Sequence, residues 1–580
     1  MNLKDILNVV YSEISRSELV DRNPAVEDKI KRKYEEIWRI DTEVEVGRFQ
    51  KDVELLLAFD EFFPYTLPRI YLTKKCFDEI YPIPHLDNNR CICTYRDEVT
   101  LLDVDKPFEI ANTFIQKAKE IIKEGLEVTN SKDFKDELRA YWLDSDENEF
   151  SYYLSLLEEF PTTTSFLKVY RLRHSFNLIR NIVFKDESDI TAKRFFKYLK
   201  SKGYKGYEYD ALFISDFELG LKPPYPITND DILKYMSVES KAVFQKHINS
   251  LGTEKTIFFK GETLKEPILL GWEHNKLVTK RNGFRDGRLT AFKVLSTIQK
   301  QDKIKRIIVE EYSNRRVELR TTGVIQDNLT FLVAGLGSIG SNLIYFLNGF
   351  NYPNFKLVDD EFLKIENIGR HLLGLGNVNA HKVDAVENYI KDIRPDQSVS
   401  VQKTTIEKVF HQNPEFINDS NYIFIAIGNQ NIENFILSKQ NEGAITAPMF
   451  YLWVEPYALG GHCLFLHPDS MVTNNDLYDN HFYRYNVISS EEYKNQNPVL
   501  SMKEAGCESS YTPYSGNDVI LFLSSIYKWI NDIIKGDIKK SMGVQWIGNI
   551  SNADKLGLNL NNEFHHRESY SHIIFSLNGD

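Results

Sequence analysis

A glycine-rich turn between two apolar runs constrains the fold of this chain more than any other feature. Residues 331–334 are apolar, Gly335, Gly337 and Gly340 follow in a G-x-G-x-x-G pattern, and residues 341–347 are again mostly apolar. This order predicts a buried strand, a tight turn and a helix. Glycine lets the turn approach a phosphate closely, and the amides at the helix N-terminus can bind it. The motif predicts a nucleotide site and leaves redox and non-redox enzymes equally open.

The residues that follow this turn favour a non-redox enzyme. A second predicted strand, residues 354–361, ends in acids, and the first of these, Asp359, lies 19 residues after Gly340. A mononucleotide-binding unit places there the acid that binds a ribose hydroxyl. Arg370 and Lys382 come next. Two fixed cations behind such a loop suit a triphosphate, because phosphoryl and adenylyl transfer depend on positioning and on neutralising developing charge.

These residues make the chain similar to a known family, the ThiF/MoeB-type adenylyltransferases and the adenylation domains of ubiquitin-activating enzymes. The family pattern is a glycine loop, a strand ending in two acids, an Asn-x-x-Arg sequence and a later lysine, which match residues 359–361, 367–370 and 382. The resemblance implies a Rossmann-like domain that binds ATP through Gly335, Gly337, Ser338, Gly340, Asp359 and Glu361. It also implies that the phosphates are contacted by Asn367, Arg370 and Lys382.

Two further positions of the family pattern are left open by the sequence. Arg315 and Arg316 lie in a segment that resembles the family's arginine-bearing segment, which reaches into the partner subunit's site, and either residue fits. After the predicted strand at 422–427 the family has an Asp-Asn pair that helps to hold Mg²⁺, whereas here Gly428 precedes Asn429. The resemblance therefore implies ATP and Mg²⁺ as cofactors, with the metal ligands unknown.

The first part of the chain resembles a second family, the ubiquitin-conjugating enzymes. Residues 53–59 and 69–73 read as strands because of their β-branched and aromatic content, and a proline-kinked aromatic link joins them. A turn containing His85 and an extended stretch follow, and residues 110–122 show the apolar spacing of a helix. A meander, a histidine turn, a cysteine-bearing stretch and a helix are the order of elements in that family.

Cys93 is the predicted nucleophile of this conjugating core, and Cys91 is its rival. The reaction needs a thiol, since a thioester exchanges readily with amines and with other thiols. The resemblance places His85 among the catalytic residues. Leu86 and Asp87 stand where eukaryotic members have Pro-Asn, so the group that stabilises the oxyanion is open.

An activating enzyme that passes its acyl group onward also needs a thiol of its own. Cys507 lies in a small, polar segment that resembles the mobile crossover segment bearing the catalytic cysteine of activating enzymes. Cys463 is the alternative, although its strand-like surroundings favour a packing role. Cys76 is predicted to be a small buried hydrophobe. The five cysteines contain no C-x-x-C pair, so we expect no zinc site.

Composition sets wider limits on the class of protein. A chain of 580 residues should contain more than one domain, and its net charge of −12 argues against general nucleic-acid binding. No run approaches the ~18 apolar residues of a membrane span, and the N-terminus lacks a signal-peptide pattern. With few cysteines as well, we expect a cytoplasmic protein.

We expect an α/β and α+β multidomain chain of three parts. These are a conjugating-enzyme-like α+β core at 1–128, an α+β linker or adaptor domain at 129–300, and a Rossmann-like ThiF-type adenylation domain at 301–580. The middle part keeps its aromatic and β-branched residues, which predicts a folded domain. Its sequence shows no catalytic motif, so a spacer role is the simplest expectation.

This three-part order resembles the activating–conjugating fusion proteins of bacterial CBASS antiviral operons. The resemblance implies that a partner protein is activated at its C-terminal carboxylate as an acyl-adenylate, passed to Cys507 and then Cys93, and joined to an amine of a target protein. In such fusions the partner is a cyclic-oligonucleotide synthase. The family also implies a homodimer. Tethering the two thiols in one chain favours their exchange, because it raises their effective concentration.

Three other functions remain open at this point. The chain could adenylate a sulfur-carrier-like protein, with its first domain serving only for docking. It could be a non-catalytic binding scaffold, which the glycine at position 428 favours. An NAD-dependent oxidoreductase is the third.

Overall fold

The computed structural model describes residues 2–143, 150–220, 223, 225, 228–252, 254–274, 277, 289–325, 328–350, 353–479, 482–503, 510–536 and 538–577. The chain divides into two compact units. The first comprises residues 1–189 and 204–316, and the second comprises residues 190–203 and 317–580.

The first unit begins with a five-stranded antiparallel meander. Its elements in chain order are α1 (Leu3–Ile14), β1 (Leu19–Asp21), α2 (Asp28–Lys31), β2 (Glu36–Val46), β3 (Phe49–Phe59), β4 (Arg69–Leu72), α3 (Lys74–Ile80), β5 (Cys91–Ile92) and α4 (Pro107–Leu126). The strands lie side by side in chain order, and each neighbouring pair is antiparallel. The predicted strand at 53–59 is confirmed as part of β3, and the one predicted at 69–73 is confirmed over 69–72 as β4, since Thr73 caps helix α3.

Helix α4 packs its apolar face on this meander, as its sequence predicts. Its buried residues follow the spacing of one helical face: Ile110, Ala111, Phe114, Ile115, Ala118, Ile121 and Ile122. They share one hydrophobic core with Trp38, Leu55 and Ile70 from three of the strands. Cys76 lies in the same core, 3% exposed, which confirms its predicted packing role.

A closed seven-stranded barrel fills most of the rest of the first unit. The elements after α4 in chain order are α5 (Asp133–Asp136), α6 (Leu138–Leu143), β6 (Ser151–Ser155), β7 (Ser165–Phe176), β8 (Ile179–Phe184), α7 (Ile190–Ser201), β9 (Gly206–Ile214), α8 (Asn229–Lys234), α9 (Val238–Asn249), β10 (Thr256–Gly261), β11 (Ile268–Glu273), α10 (Ala291–Lys293) and β12 (Lys305–Glu311). Of these, only α7 belongs to the second unit. The strand order is β10-β11-β12-β6-β8-β7-β9, and β9 closes the barrel on β10. The expected limit at residue 300 falls between two of its strands, β11 and β12.

The second unit is a three-layer α/β domain built on an eight-stranded sheet. Its elements are α11 (Asn314–Thr321, whose first residues belong to the first unit), β13 (Thr330–Ala334), α12 (Ser338–Leu347), β14 (Asn354–Val358), α13 (Lys382–Ile393), β15 (Val399–Gln402), α14 (Ile406–Gln412), α15 (Pro414–Asn418), β16 (Tyr422–Ile425), α16 (Gln430–Asn441), β17 (Met449–Val454), β18 (Gly460–Leu466), α17 (Asn474–Leu477), β19 (Tyr478–Asp479), β20 (Phe482–Tyr483), α18 (Ser490–Lys494), β21 (Met502–Lys503), β22 (Ser510–Tyr511), α19 (Gly516–Gly536), β23 (Met542–Ile547), α20 (Ser551–Leu556) and β24 (His572–Ser576).

The order of strands in this sheet confirms the predicted Rossmann-like architecture. The sheet runs β15-β14-β13-β16-β17-β18-β23-β24, with parallel pairing from β15 to β17 and antiparallel pairing beyond. The order turns back between β14 and β16 around the central strand β13. Open parallel sheets of this kind bind ligands at the carboxyl ends of the strands, beside such a reversal. The predicted glycine loop follows β13 and lies at that place.

Among the described residues, no helix has the length and apolar character that a membrane span requires.

Candidate active sites

The glycine loop is held by close backbone packing at two of its three glycines. Gly335 has φ +85, and a Cβ there would lie 2.6 Å from the carbonyl oxygen of Ala426 at the end of the neighbouring strand. A Cβ on Gly340 would collide with the carbonyl oxygen of Gly335. A Cβ on Gly337 would meet nothing within 4 Å. Two glycines therefore let strand, loop and helix approach, and the third faces open space where a ligand could lie.

Leu336 lies between the first two glycines, and both its N–H and its carbonyl are hydrogen-bonded to side chains outside the loop. Asp359 accepts its N–H at 2.6 Å and accepts the N–H of Glu361 at 2.8 Å. His371 Nε2 donates to the carbonyl of Leu336 at 2.9 Å, since Nδ1 accepts the N–H of Leu373 at 3.0 Å. Burial raises the pKa of the Asp359 carboxyl, against the opposing charge of Lys382. Burial lowers the pKa of His371 to about 4, so the ring stays neutral at physiological pH.

The loop opens on a pocket of about 850 Å³. One part of its lining is polar and includes most of the residues that the sequence predicts for the nucleotide: Gly337, Ser338, Glu361, Asn367, Arg370 and Lys382. The other part is aromatic and includes Trp453, Tyr478, Phe482, Tyr483, Tyr493, Tyr511 and Tyr514. The structure therefore brings the predicted phosphate-binding residues together on one wall of a single pocket.

Both predicted cations are anchored in this wall. The Lys382 side chain is 5% exposed, and its Nζ forms an ion pair with Glu361 Oε2. Arg370 Nη1 donates to the carbonyl of Thr512 at 3.0 Å, and its guanidinium lies 4.8 Å from the centre of the Tyr514 ring. A cation held in this way loses little conformational freedom when it binds an anion. Such an arrangement suits the stabilisation of phosphate charge.

The backbone carbonyl of Arg370 ties this cation to helix α12. Ser338 Oγ donates to that carbonyl at 2.9 Å, and Asn342 Nδ2 donates to it at 3.0 Å. Asn367 Oδ1 accepts the N–H of Lys364 at 3.0 Å, which leaves its amide nitrogen for other partners. The Asn-x-x-Arg segment is thus placed by the helix that begins at the glycine loop.

Glu433 is a pocket residue that the sequence reasoning missed. It lies five residues after Gly428, which lines the same pocket with φ +70. Burial raises the pKa of the Glu433 carboxyl to about 7, while the amides of Gly428 and Asn429 act in the opposite direction. The sequence feature that could have identified Glu433 is its position, about one helical turn beyond the place where the family pattern has its acid. Across the described part of the chain, no group of three or more His, Cys, Asp or Glu side chains is arranged to hold a metal ion.

The aromatic wall is braced by a buried contact between a carboxylate and a histidine that the sequence did not suggest. Glu455 is 2% exposed and lies 2.7 Å from Nε2 of His462, which is fully buried. The same carboxylate accepts the amides of Val487 at 2.7 Å and Ile488 at 2.8 Å. These bonds connect strands β17 and β18 to the segment that carries part of the wall. They keep the shape of the pocket.

In the first unit, Cys93 is exposed, and the ring of its predicted histidine is hydrogen-bonded to two acids. The N–H of Cys93 donates to the carbonyl of His85 at 2.8 Å. The His85 ring instead has Glu137 2.8 Å from Nδ1 and Asp133 3.2 Å from Nε2. Although the residue is exposed, partial desolvation of its thiol raises the pKa of Cys93, and the charges of Glu137 and Asp87 raise it further. The histidine therefore places the cysteine through its backbone.

Cys91, the rival nucleophile, is less available than Cys93. It is half-buried in strand β5, where its N–H donates to Asp87 Oδ1 at 2.7 Å. Burial raises the pKa of its thiol to about 12. A nucleophilic thiol must be accessible to the acyl group, so exposure favours Cys93.

The remaining cysteines differ in what the structure describes of them. Cys463 is fully buried in β18, and burial raises its thiol pKa well above the ordinary value, which agrees with packing. Cys507 lies outside the described residues. The segments on either side of it pair as β21 and β22, and Ser501 and Tyr511 from these segments line the pocket.

Arg315 and Arg316 belong to the first unit. Arg315 Nε lies 3.6 Å from Glu266 Oε1, with its side chain 63% exposed, and Arg316 Nη1 lies 3.2 Å from Glu311 Oε2. Their role in a second subunit stays a prediction.

Comparison with known families agrees with this two-part construction. Residues 20–151 match the family model described as Prokaryotic E2 family B, and residues 325–480 match the ThiF family model. No curated protein matches the chain. The two family matches join a conjugating-enzyme-like region to a ThiF-type domain and indicate an adenylating and conjugating enzyme; ThiF-type enzymes use ATP.

The chain also has limited similarity to solved structures. PaaA is 14% identical, with 43% of this chain and 73% of PaaA covered and a TM-score of 0.31. E. coli MccB with MccA-N7isoASN is 12% identical, with 40% of this chain and 64% of MccB covered and a TM-score of 0.29. This chain thus spans less than two thirds of MccB. Similarities with such low TM-scores support no conclusion about fold or function.

Acid should weaken the second unit through His371. In the unfolded chain this histidine becomes protonated below pH 6.5, whereas in the folded loop it stays neutral down to about pH 4. Stability present above pH 6.5 is therefore lost as the pH falls towards 4, by up to about 3 kcal/mol. Thermal unfolding of His371→Gln should depend less on pH over this window than that of the wild type. The exposed His411→Gln is the control, and parallel curves for wild type and His371→Gln would contradict the assignment.

Proposed function

We propose that this chain, which joins a conjugating-enzyme-like region to a ThiF-type domain, activates the C-terminal carboxylate of a partner protein with ATP and transfers it to an amine. The observation that carries the proposal is the pocket wall. It gathers a glycine loop, Asn367, Arg370 and Lys382 around one space. Catalysis of adenylyl transfer needs such positioned cations more than it needs covalent chemistry.

In the activating half, a carboxylate oxygen of the partner would attack the α-phosphorus of ATP and release pyrophosphate. The amides of the glycine loop and the side chains of Arg370 and Lys382 would stabilise the charge on the phosphates. Asn367 would orient them, and Glu361 would hold Lys382 in place. Asp359 would contact the ribose, in addition to bracing Leu336. Arg315 or Arg316 of a second copy would complete the site in a homodimer.

In the relay, the acyl group would move from phosphate to sulfur and then to nitrogen. The thiolate of Cys507 would attack the acyl carbon and release AMP. The thiolate of Cys93 would then displace Cys507, and a target amine would attack the second thioester, forming an amide and releasing the Cys93 thiol. The exposure of Cys93 supports its place as the last carrier.

The aromatic part of the pocket is a suitable path for the partner's C-terminal tail. Its lining lies beside Arg370, and the guanidinium packs on Tyr514, one of its aromatic residues. A tail lying there would point its carboxylate towards that cation. As in the CBASS fusions that the chain resembles, a cyclic-oligonucleotide synthase is the proposed partner, with cellular proteins as targets.

Magnesium fits this pocket even with glycine at position 428. Mg²⁺ is commonly held by one or two carboxylates together with substrate phosphates, and it neutralises charge on the phosphates. Glu433 and Glu361 are pocket carboxylates that could hold it. Since the pKa of Glu433 is raised to about 7, its carboxylate form, and with it metal affinity, would increase as the pH rises through neutrality.

Removing either pocket cation should abolish activation. With ATP, Mg²⁺ and the partner present, Arg370→Ala and Lys382→Ala should lower ATP–pyrophosphate exchange on the order of a hundredfold, because each removes charge stabilisation from the phosphates. The control is Lys391→Ala, on the same helix α13 but outside the pocket lining. Exchange at background level in the wild type, or wild-type rates in both pocket variants, would refute the activating role.

Glu433→Gln should weaken metal binding. Loss of one carboxylate should reduce the affinity for Mn²⁺, used as a paramagnetic probe beside a non-hydrolysable ATP analogue, by roughly tenfold or more. Glu442→Gln, an exposed acid at the end of the same helix, should bind the probe like the wild type. Equal affinities for all three proteins would exclude Glu433 as a ligand.

A further inference from the structure

Three contacts from two carboxylates, Glu137 and Asp133, fix the histidine that places Cys93. Glu137 Oε1 lies 2.8 Å from Nδ1 of His85, and Glu137 Oε2 accepts the backbone N–H of His85 at 3.1 Å. On the other side of the ring, Asp133 Oδ2 lies 3.2 Å from Nε2. Both ring nitrogens thus face carboxylate oxygens, which only the doubly protonated imidazolium satisfies by donating twice. The hydrogen bond of Glu137 is the largest cause that raises the pKa of His85.

This arrangement holds the backbone as well as the ring. His85 has φ +64, a conformation that costs a residue with a side chain some free energy and persists only where its surroundings enforce it. In that conformation its carbonyl accepts the N–H of Cys93 at 2.8 Å. Glu137 bonds to the same residue at its amide and at its ring. Its position therefore fixes the turn that presents the thiol.

Glu137 lies beyond the meander and helix α4, near the end of residues 20–151, which match the Prokaryotic E2 family B model. It follows α5 directly, and the next helix, α6, contacts both the turn and the barrel. Tyr141 of α6 donates its hydroxyl hydrogen to the carbonyl of Ile83 at 3.2 Å, just before His85. Trp142, fully buried, donates from Nε1 to the carbonyl of Gly271 in barrel strand β11 at 3.3 Å.

A barrel residue also bonds back to this helix. Arg306 Nη1 of β12 donates to the carbonyl of Trp142 at 2.6 Å, and its guanidinium lies 4.6 Å from the indole ring. Helix α6 therefore has one face on the turn that carries His85 and the other on the barrel. The middle part of the chain, expected to be a spacer, contributes structure to the thiol site.

We propose that Glu137 is a positioning residue of the Cys93 site, acting through His85, and that the α5–α6 segment makes the barrel part of that site. Its negative charge also acts on Cys93 itself. The groups that affect the Cys93 thiol are Glu137 and Asp87, whose charges raise its pKa in addition to burial, and Arg69, which lowers it. The charge of Glu137 thereby keeps the free thiol protonated. The effect of Glu137 on acyl transfer rests on the proposed function. The placement of His85 and Cys93 by Glu137 does not depend on it.

Three substitutions separate this role from general loosening of the structure. Glu137→Gln should lower two pKa values, that of the His85 imidazole and that of the Cys93 thiol, the latter by roughly one unit. Asp133→Asn should lower the pKa of His85 alone, because Asp133 faces the ring and is not among the groups that act on Cys93. Asp136→Asn, an exposed acid at the end of α5, should change neither value.

Both pKa values can be measured on the full chain without a partner. The first is the pH midpoint of the His85 ring resonances in protein with labelled histidine. The second is the pH midpoint of iodoacetamide alkylation at Cys93, with the modified sulfur located by tandem mass spectrometry. We expect Glu137→Gln to shift both midpoints and Asp133→Asn to shift only the His85 midpoint. Asp136→Asn should shift neither midpoint. Unchanged midpoints in Glu137→Gln, or a Cys93 shift in Asp133→Asn equal to that in Glu137→Gln, would overturn the proposal. If Glu137→Gln does not fold, Asp133→Asn still decides whether the His85 ring is held by carboxylates.

A second assay separates this inference from the proposed function. With ATP and the partner, the amount of thioester on Cys93 and its rate of discharge to a free amine are followed in wild type, Glu137→Gln and Asp136→Asn. We expect Glu137→Gln to slow transfer at least severalfold and Asp136→Asn to behave as wild type. Equal discharge rates in all three proteins would contradict a positioning role. A wild type that forms no thioester would refute the relay, and the pKa pattern would still test the positioning of His85.

Discussion

The backbone of Leu336 is the point on which the nucleotide pocket depends. Its N–H is bonded to Asp359 and its carbonyl to His371, so the loop is fixed by the second strand and by the segment that follows it. The segment of His371 also contains Asn367 and Arg370, and Arg370 is bonded back to the start of helix α12. Strand, loop, helix and cation-bearing segment thus determine one another's positions. These hydrogen bonds hold the pocket in shape. They lie in a buried region, where leaving a polar group unpaired would cost free energy of folding.

Much of this arrangement could be predicted from the sequence, because its signals are local or regular. The glycine spacing, the apolar strand before it and the acid at the end of the next strand follow from backbone geometry, and they correctly located the loop, β14 and Asp359. The face of α4 was equally readable from its spacing. Residue type and regular spacing are sufficient when an element buries one face.

The contributions that were missed come from residues that are close in space and distant in sequence. Glu137 lies in a charged stretch that looks like an ordinary solvated surface, yet it is bonded to a histidine 52 positions earlier. The pairing of Glu455 with His462 inside the domain has no signature in the sequence, because the same residue types are common on surfaces. Glu433 and the closed barrel belong to the same class. Long-range pairing and the orientation of a ring are decided by tertiary packing, which local patterns do not report.

In the proposed relay, two sulfurs carry one acyl group in a fixed order, from Cys507 to Cys93. The most direct measurement is to incubate the chain with ATP, Mg²⁺ and its partner, quench it without reductant, and locate partner adducts on each cysteine by mass spectrometry. The relay predicts reductant-sensitive adducts on both residues in the wild type, on Cys507 alone in Cys93→Ser, and on neither in Cys507→Ser. An adduct on Cys93 in the Cys507→Ser chain, or none on either sulfur while the pocket holds nucleotide, would contradict it.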